Sequence, residues 1–166
     1  MRNVFTVFLL TVILTITGCG DGSTTANPTT RAAGPMTVSM KIGSKTYTLE
    51  VAADEVSREV GLMNRDHMAA DHGMIFVFPD ADDRGFWMKN TLIPLDIVFV
   101  DASGKVVSVH TMKPLDESTT PSDGPAKYAV ELCAGEAAAD GIKPGDQVKI
   151  PPDADTALAR ETPRNR

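Results

Sequence analysis

The stretch that most constrains this chain holds two apolar runs, Gly73-Met-Ile-Phe-Val-Phe-Pro79 and Gly85-Phe-Trp-Met-Lys-Asn-Thr-Leu-Ile-Pro-Leu-Asp-Ile-Val-Phe-Val-Asp101. β-Branched and aromatic residues bounded by Gly, Pro and Asp form the pattern of strands buried on both faces of a sheet. Lys89-Asn90-Thr91 breaks the second run with a short polar turn beside Trp87, the only tryptophan. Polar groups and an aromatic ring at the mouth of a buried strand are where a small site can form.

The flanking sequence supplies the rest of a sheet. Residues 36–42 alternate apolar and polar, Gly43-Ser44-Lys45 turns, and residues 47–51 alternate again, which predicts a β-hairpin. The period then changes. Val56, Val60 and Met63 recur at i, i+4 and i+7, so a short amphipathic helix is expected over 53–63, capped by Asp54 or Ala53 and closing near Gly61. Residues 79–84 read as an exposed turn. Residues 95–100 and 105–112 read as a strand pair, 114–125 as a long Ser/Thr/Asp/Pro loop, 127–133 as a strand, 134–140 as a turn or two of helix, and 147–150 as a last strand. Six or more strands against one short amphipathic helix make the domain mainly β, a sandwich or partly closed barrel.

The ends carry an address. Arg2, the apolar stretch from Val4 to Ile16 and Ile16-Thr17-Gly18-Cys19 follow the order of a lipoprotein signal peptide over 1–19, with Cys19 the lipidated residue. The apolar stretch is short for a membrane span. Residues 20–35 are Gly, Ser, Thr, Asn, Ala and Pro in the main, a composition expected to remain a flexible tether. Residues 36–150 are one β-rich domain, and 151–166 read as a disordered tail. The expected location is extracytoplasmic, on a bacterial membrane held through lipid on Cys19; whether that is the inner or outer membrane is left open.

The net charge of −6 and the lack of a basic patch argue against nucleic acid. With Cys19 lipidated, Cys133 has no partner in the chain and reads as a small buried apolar residue. No cofactor is expected, since phosphate-cradling and dinucleotide glycine patterns, paired cysteines and metalloprotease helices are missing from the sequence.

Gly61-Leu-Met-x-Arg65, Gly73-Met-Ile-Phe-Val-Phe78 and Phe86-Trp-Met-Lys-Asn-Thr-Leu-Ile-Pro-Leu-Asp96 occur in this order. Pro121-Ser122, Tyr128-x-x-Glu131, Ala134-Gly135 and Gly141-Ile-x-x-Gly-Asp146 follow them. On these motifs the chain resembles domain-of-unknown-function family 192 over nearly the whole domain. The resemblance implies a small β-rich fold of sandwich or barrel type, in a family that often carries a signal peptide. It implies no established activity.

Three sets of residues are candidates for function. In the first, Asp96 shares a strand face with Val98 and Val100, and Glu131 shares one with Ala129 and Cys133. Carboxyl groups pointing into apolar layers need partners. Arg65, Trp87, Asn90, Asp96 and Glu131 are therefore the candidate ligand-binding set. The structural alternative has Asp96 bracing the Lys89-Asn90-Thr91 turn and Glu131 pairing with Arg65. The catalytic alternative has Asp96 and Glu131 acting as an acid and base on an envelope glycan, as hydrolase or lyase.

The second set is Met63, His67, Met68, His72 and Met74, whose thioethers and imidazoles suit Cu(I); methionines serving as core are the alternative. The third is the 114–125 loop, whose serines would need a histidine base such as His110 to act as nucleophiles, without any Gly-x-Ser-x-Gly pattern. That loop is expected to cover one end of the fold near Trp87. The first-ranked expectation is a non-catalytic module that binds a small polar molecule, a glycan piece or a partner protein of the envelope.

Overall fold

The computed structural model describes residues 34–161, with side chains through residue 158. The signal segment 1–19, its Cys19 and nearly all of the 20–35 tether lie outside the described residues.

In chain order the elements are β1 (Thr37–Ile42), β2 (Lys45–Ala52), α1 (Glu55–Val60), β3 (His72–Asp82), β4 (Gly85–Phe86), β5 (Leu95–Val100), β6 (Val106–Met112), β7 (Thr120–Pro121), β8 (Ala126–Cys133), α2 (Glu136–Ala139) and α3 (Pro152–Glu161). Alternation makes the β1–β2 hairpin: Val38, Met40, Ile42, Tyr47 and Leu49 are buried on one side. Gly43 closes it with φ +61, and a Cβ there would stand 2.3 Å from the Asp140 carbonyl oxygen, so no other residue fits.

Six strands form one mixed sheet in the order β1-β2-β3-β8-β5-β6. β2 and β3 run parallel and the other neighbours antiparallel. β4 and β7 form a separate two-stranded ribbon. The domain is mainly β, and the described residues form no closed barrel.

The two faces of the large sheet bury separate cores. One holds Leu49, Ile75, Val77, Val98, Val130 and Leu132 with Ala137 of α2 and Ala154 of α3. The other holds Met74, Phe76, Ile97, Phe99 and Ala129 with Leu62 and Met88. Helices and the C-terminal segment cover the first face. The ribbon and the connection after α1 cover the second. Buried apolar area on both sides is what fixes strand register, because a slip of one residue would exchange the two faces.

Several expectations change. Three helices occur among the described residues: α1, α2 within the helical turns expected over 134–140, and α3, which was not expected. α1 is shorter than the predicted 53–63 and buries none of its residues; Val56 and Val60 are 68% and 50% exposed. This crossover helix is held instead by its cap. The Asp54 side chain accepts from the Ser57 amide at 2.8 Å, and Ser57 Oγ accepts from the Asp54 amide at 3.2 Å.

The expected turn over 79–84 is partly an irregular extension of β3, with a register shift between Val77 and Asp82. The last strand over 147–150 reduces to one bridge between Lys105 and Gln147. Within the tail read as disordered from 151, residues Pro152–Glu161 form α3, and 162–166 lie outside the described residues. Ala154 is fully buried, and the Tyr128 hydroxyl donates to Asp155 at 2.9 Å, which offsets the low apolar content of the segment.

Candidate functional site

Alternation along residues 86–88 sends Phe86 inward and Trp87 outward. Phe86 meets Phe76 and Phe99 edge-on, at centroid distances of 4.9 and 5.5 Å, and so pins the strand. Trp87 stays 44% exposed, with the Lys89 ammonium 5.0 Å from its ring centroid. The turn that follows is held by backbone. Thr91 donates to the Met88 carbonyl, Asn64 to that of Asn90, Leu115 to that of Thr91, and Met88 to that of Asp116, all at 2.8–3.0 Å. Asn90 adopts φ +54, a conformation its side chain type tolerates, and its side chain is exposed.

Glu131 stands in the middle of the large sheet on the same face. It pairs with Met74 of β3 on one side and Ile97 of β5 on the other. It is 4% exposed. None of the side-chain hydrogen bonds among the described residues reaches its carboxyl group, and burial pushes that carboxyl up from its ordinary 4.5 to about 8.

One narrow cleft leads to it, with a cavity of about 30 Å³ lined by Val60, Gly61, Leu62, Met63, Phe76, Phe86, Trp87, Thr91 and Glu131, and by Arg58 and Glu59. Gly61 has φ +48, and a Cβ there would approach Phe76 to 3.3 Å and a Glu131 carboxyl oxygen to 4.0 Å. The glycine thus ends α1 and keeps the roof of the cleft thin.

The other members of the predicted set fall elsewhere. Asp96 leaves the sheet on the opposite face. Its carboxyl accepts from Thr111 Oγ1 at 2.6 Å and from the amides of Gly135 and Ala137 at 2.8 and 3.0 Å. It braces the start of α2, not the Lys89-Asn90-Thr91 turn, and does not share a site with Glu131. Arg65 makes a two-pronged pair with Glu50 at 2.5 and 2.7 Å rather than pairing with Glu131. Asn90 contributes its backbone to the loop, and its side chain does not line the cleft. Of the predicted set, only Trp87 and Glu131 meet.

The model of DUF192, described as "uncharacterized ACR", covers residues 37–150, from β1 to the segment before α3. The chain belongs to domain-of-unknown-function family 192. Among solved structures, the chain is similar to one from Sinorhizobium meliloti 1021, provisionally named a transcription regulator. They are 38% identical, covering 68% of this chain and 91% of that one, with a TM-score of 0.64. It is also similar to a protein of unknown function from Novosphingobium aromaticivorans DSM 12444, at 35% identity over 72% of this chain and 89% of the other, with a TM-score of 0.67. None of the curated proteins matches the chain.

Two family motifs, Gly61-Leu-Met and Gly73-Met-Ile-Phe-Val-Phe78, thus supply the roof and wall of the cleft, and a third supplies Trp87. Phe76, Phe86 and Gly61 were not singled out from the sequence as site residues. The signal available was their place in the same motifs as Trp87.

The methionine–histidine segment of this family member is dispersed. His67 is exposed and faces Asp66, and His72 is exposed and faces Asp71 at 2.8 Å. Met74 is core, Met68 packs against that core, and Met63 lines the cleft. No cluster of three or more His, Cys, Asp or Glu side chains with metal-binding geometry occurs among the described residues.

The 114–125 loop does run alongside Trp87, because β7 pairs with β4 through Phe86 and Thr120. Its serines are committed: Ser118 Oγ donates to Asp116 and Ser122 Oγ to the Gly124 carbonyl. His110 faces Asp123, with Nε2 3.1 Å from the carboxyl but not aligned for a hydrogen bond. No Ser–His pair of the kind a hydrolase needs is present among the described residues. The Cys133 thiol faces the carbonyls of Met68 and Ala69, and burial pushes it up, away from the reactive thiolate.

Proposed function

We propose that this protein is a lipid-anchored, extracytoplasmic binding module whose ligand enters the cleft between Trp87 and Glu131. One observation carries the proposal. A carboxyl group buried to 4% exposure opens toward a cleft without a hydrogen-bonding partner, and a half-exposed tryptophan stands at the rim. A fold gains nothing from burying such a group unpaired, since desolvation costs on the order of a few kcal/mol. Groups kept in that condition cluster at functional sites. Binding is favoured over glycan hydrolysis because the second carboxyl group that hydrolysis would require, that of Asp96, lies across the sheet.

The lipid anchor rests on the order of charge, apolar stretch, small residues and Cys19 in the first nineteen residues. No helix among the described residues is long and apolar enough to cross a membrane. Fatty-acid labelling of cells expressing the chain tests the anchor: label incorporated by the natural sequence and lost in Cys19→Ala is the expected result.

The binding proposal is tested by thermal unfolding of the protein against envelope glycan fragments and small polar metabolites. A true ligand at a hundredfold over its Kd adds about 2.7 kcal/mol and raises Tm by several degrees. Trp87→Ala should abolish that shift. A shift that survives Trp87→Ala would place binding elsewhere.

A further inference from the structure

We propose that the group bound in the Trp87–Glu131 cleft is a primary ammonium, its nitrogen against the Glu131 carboxyl and its alkyl stem against the Trp87 ring. The inference rests on the cleft being the ligand site and adds the chemical class of what it takes.

Size makes the first selection. A cavity of about 30 Å³ holds one group the size of a water molecule. A sugar ring, a nucleobase or a guanidinium fork is too bulky to reach Glu131, whereas an ammonium, a hydroxyl or an amide nitrogen is not.

The lining makes the second. The lining of the cleft includes the side chains of Leu62, Phe76 and Phe86, which offer no hydrogen bonds. Thr91 Oγ1 already donates to the Lys89 carbonyl at 3.3 Å, so toward the cleft its oxygen is an acceptor. The Arg58 guanidinium donates through Nη1 to the Ala53 and Val77 carbonyls and lies 5.3 Å from the Phe78 ring centroid, and none of the hydrogen bonds among the described residues joins it to the acid. Thr91 and Glu131 therefore present acceptors to a group that enters between them, and the group that satisfies several acceptors at once is one with three N–H donors and a charge.

The rim makes the third. The Trp87 ring already has one ammonium near it, that of Lys89 at 5.0 Å from the centroid, the geometry of a cation–π contact. Besides Glu131, the charged side chains lining the cleft are Arg58 and exposed Glu59 of α1, with exposed Lys89 beside Trp87 at the rim and exposed Glu55 further along α1. The strands beside Glu131 present Met74 and Ile97, with His110 one strand further. No opposite charge is paired with Glu131, so an incoming cation supplies the missing partner. The chain's net charge of −6 favours its approach.

Binding in this form moves one proton. Below about pH 8 the acid is protonated. R–NH3+ displaces that proton to solvent and leaves a carboxylate–ammonium pair. Affinity must therefore rise with pH up to that value. A ligand that accepts a hydrogen bond from the neutral acid must show the opposite sign.

The test titrates the full chain with methylammonium, acetamide and acetate, following the 13C resonance of the Glu131 carboxyl and the emission of Trp87. The expected result is that methylammonium perturbs both residues, with a Kd that falls about tenfold from pH 6 to pH 7. Glu131→Gln should lose the response. Should that variant misfold, the pH series on the natural chain carries the test alone. Tighter or equal binding of acetamide or acetate, or a methylammonium Kd that is flat or rises with pH, overturns the ammonium assignment; if Trp87→Ala removes that binding, the cleft remains the site. No response of either residue to any probe overturns both.

Discussion

Asp96 and Glu131 sit one residue out of step on neighbouring antiparallel strands. Asp96 pairs with Leu132, and Glu131 pairs with Ile97, so the two carboxyl groups leave the sheet on opposite faces. One is saturated with donors at the foot of α2. The other has none and opens to a cleft. Two acids that alternation alone makes equivalent are thereby given a structural and a ligand-facing position.

Asp96→Asn should lower the unfolding free energy by about 2–3 kcal/mol, because an amide cannot accept from Thr111, Gly135 and Ala137 together. The emission of Trp87, on the other face, should not change. Urea unfolding together with the native emission spectrum checks both halves.

Glu131 predicts a stability that depends on pH with a definite sign. Folding raises its carboxyl from 4.5 to about 8, so between those values the folded chain keeps a proton that the unfolded chain has lost. The contribution is complete below pH 4.5 and drains away as pH rises to about 8. Glu131→Gln has no such proton. Relative to it, the natural chain should lose on the order of a few kcal/mol across this window. Paired urea melts at pH 5 and pH 9 measure the difference.

Alternation correctly placed the β1–β2 hairpin, the burial of β5 and the companions of Asp96 and Glu131 on their strands. It could not place those strands on a common register, and only register decides which face each acid takes. Arg65 likewise carried no sequence sign that Glu50, fifteen residues earlier, would hold it. α3 was hidden by its two prolines and scattered charges. Its signal was slight but present: Pro152 at the first position, with Ala154, Ala157 and Leu158 at i, i+3 and i+4. Val56 and Val60 misled because helical spacing shows a stripe, not whether anything covers it.

Truncation after Pro151 should lower Tm by several degrees compared with the full chain, since it uncovers the place where Ala154 is fully buried and removes the Asp155 acceptor of Tyr128. Thermal melts of the two lengths decide this.

Gly73→Ala should destabilise by about 1–3 kcal/mol or prevent folding, because the added Cβ would stand 2.3 Å from the Glu131 carbonyl oxygen, forcing β3 and β8 apart. Denaturant midpoints report the loss.

The measurement that bears most directly on the account is the titration of the Glu131 carboxyl by 13C NMR in the natural chain, with Trp87 emission followed in parallel. A carboxyl that titrates near pH 8, with Trp87 responding over the same range, is the predicted result: a buried acid beside the tryptophan, lacking a partner until a ligand supplies one. A carboxyl that titrates near its ordinary 4.5, with Trp87 indifferent, would mean that Glu131 is already solvated or paired, and the cleft would lose its claim to be the site.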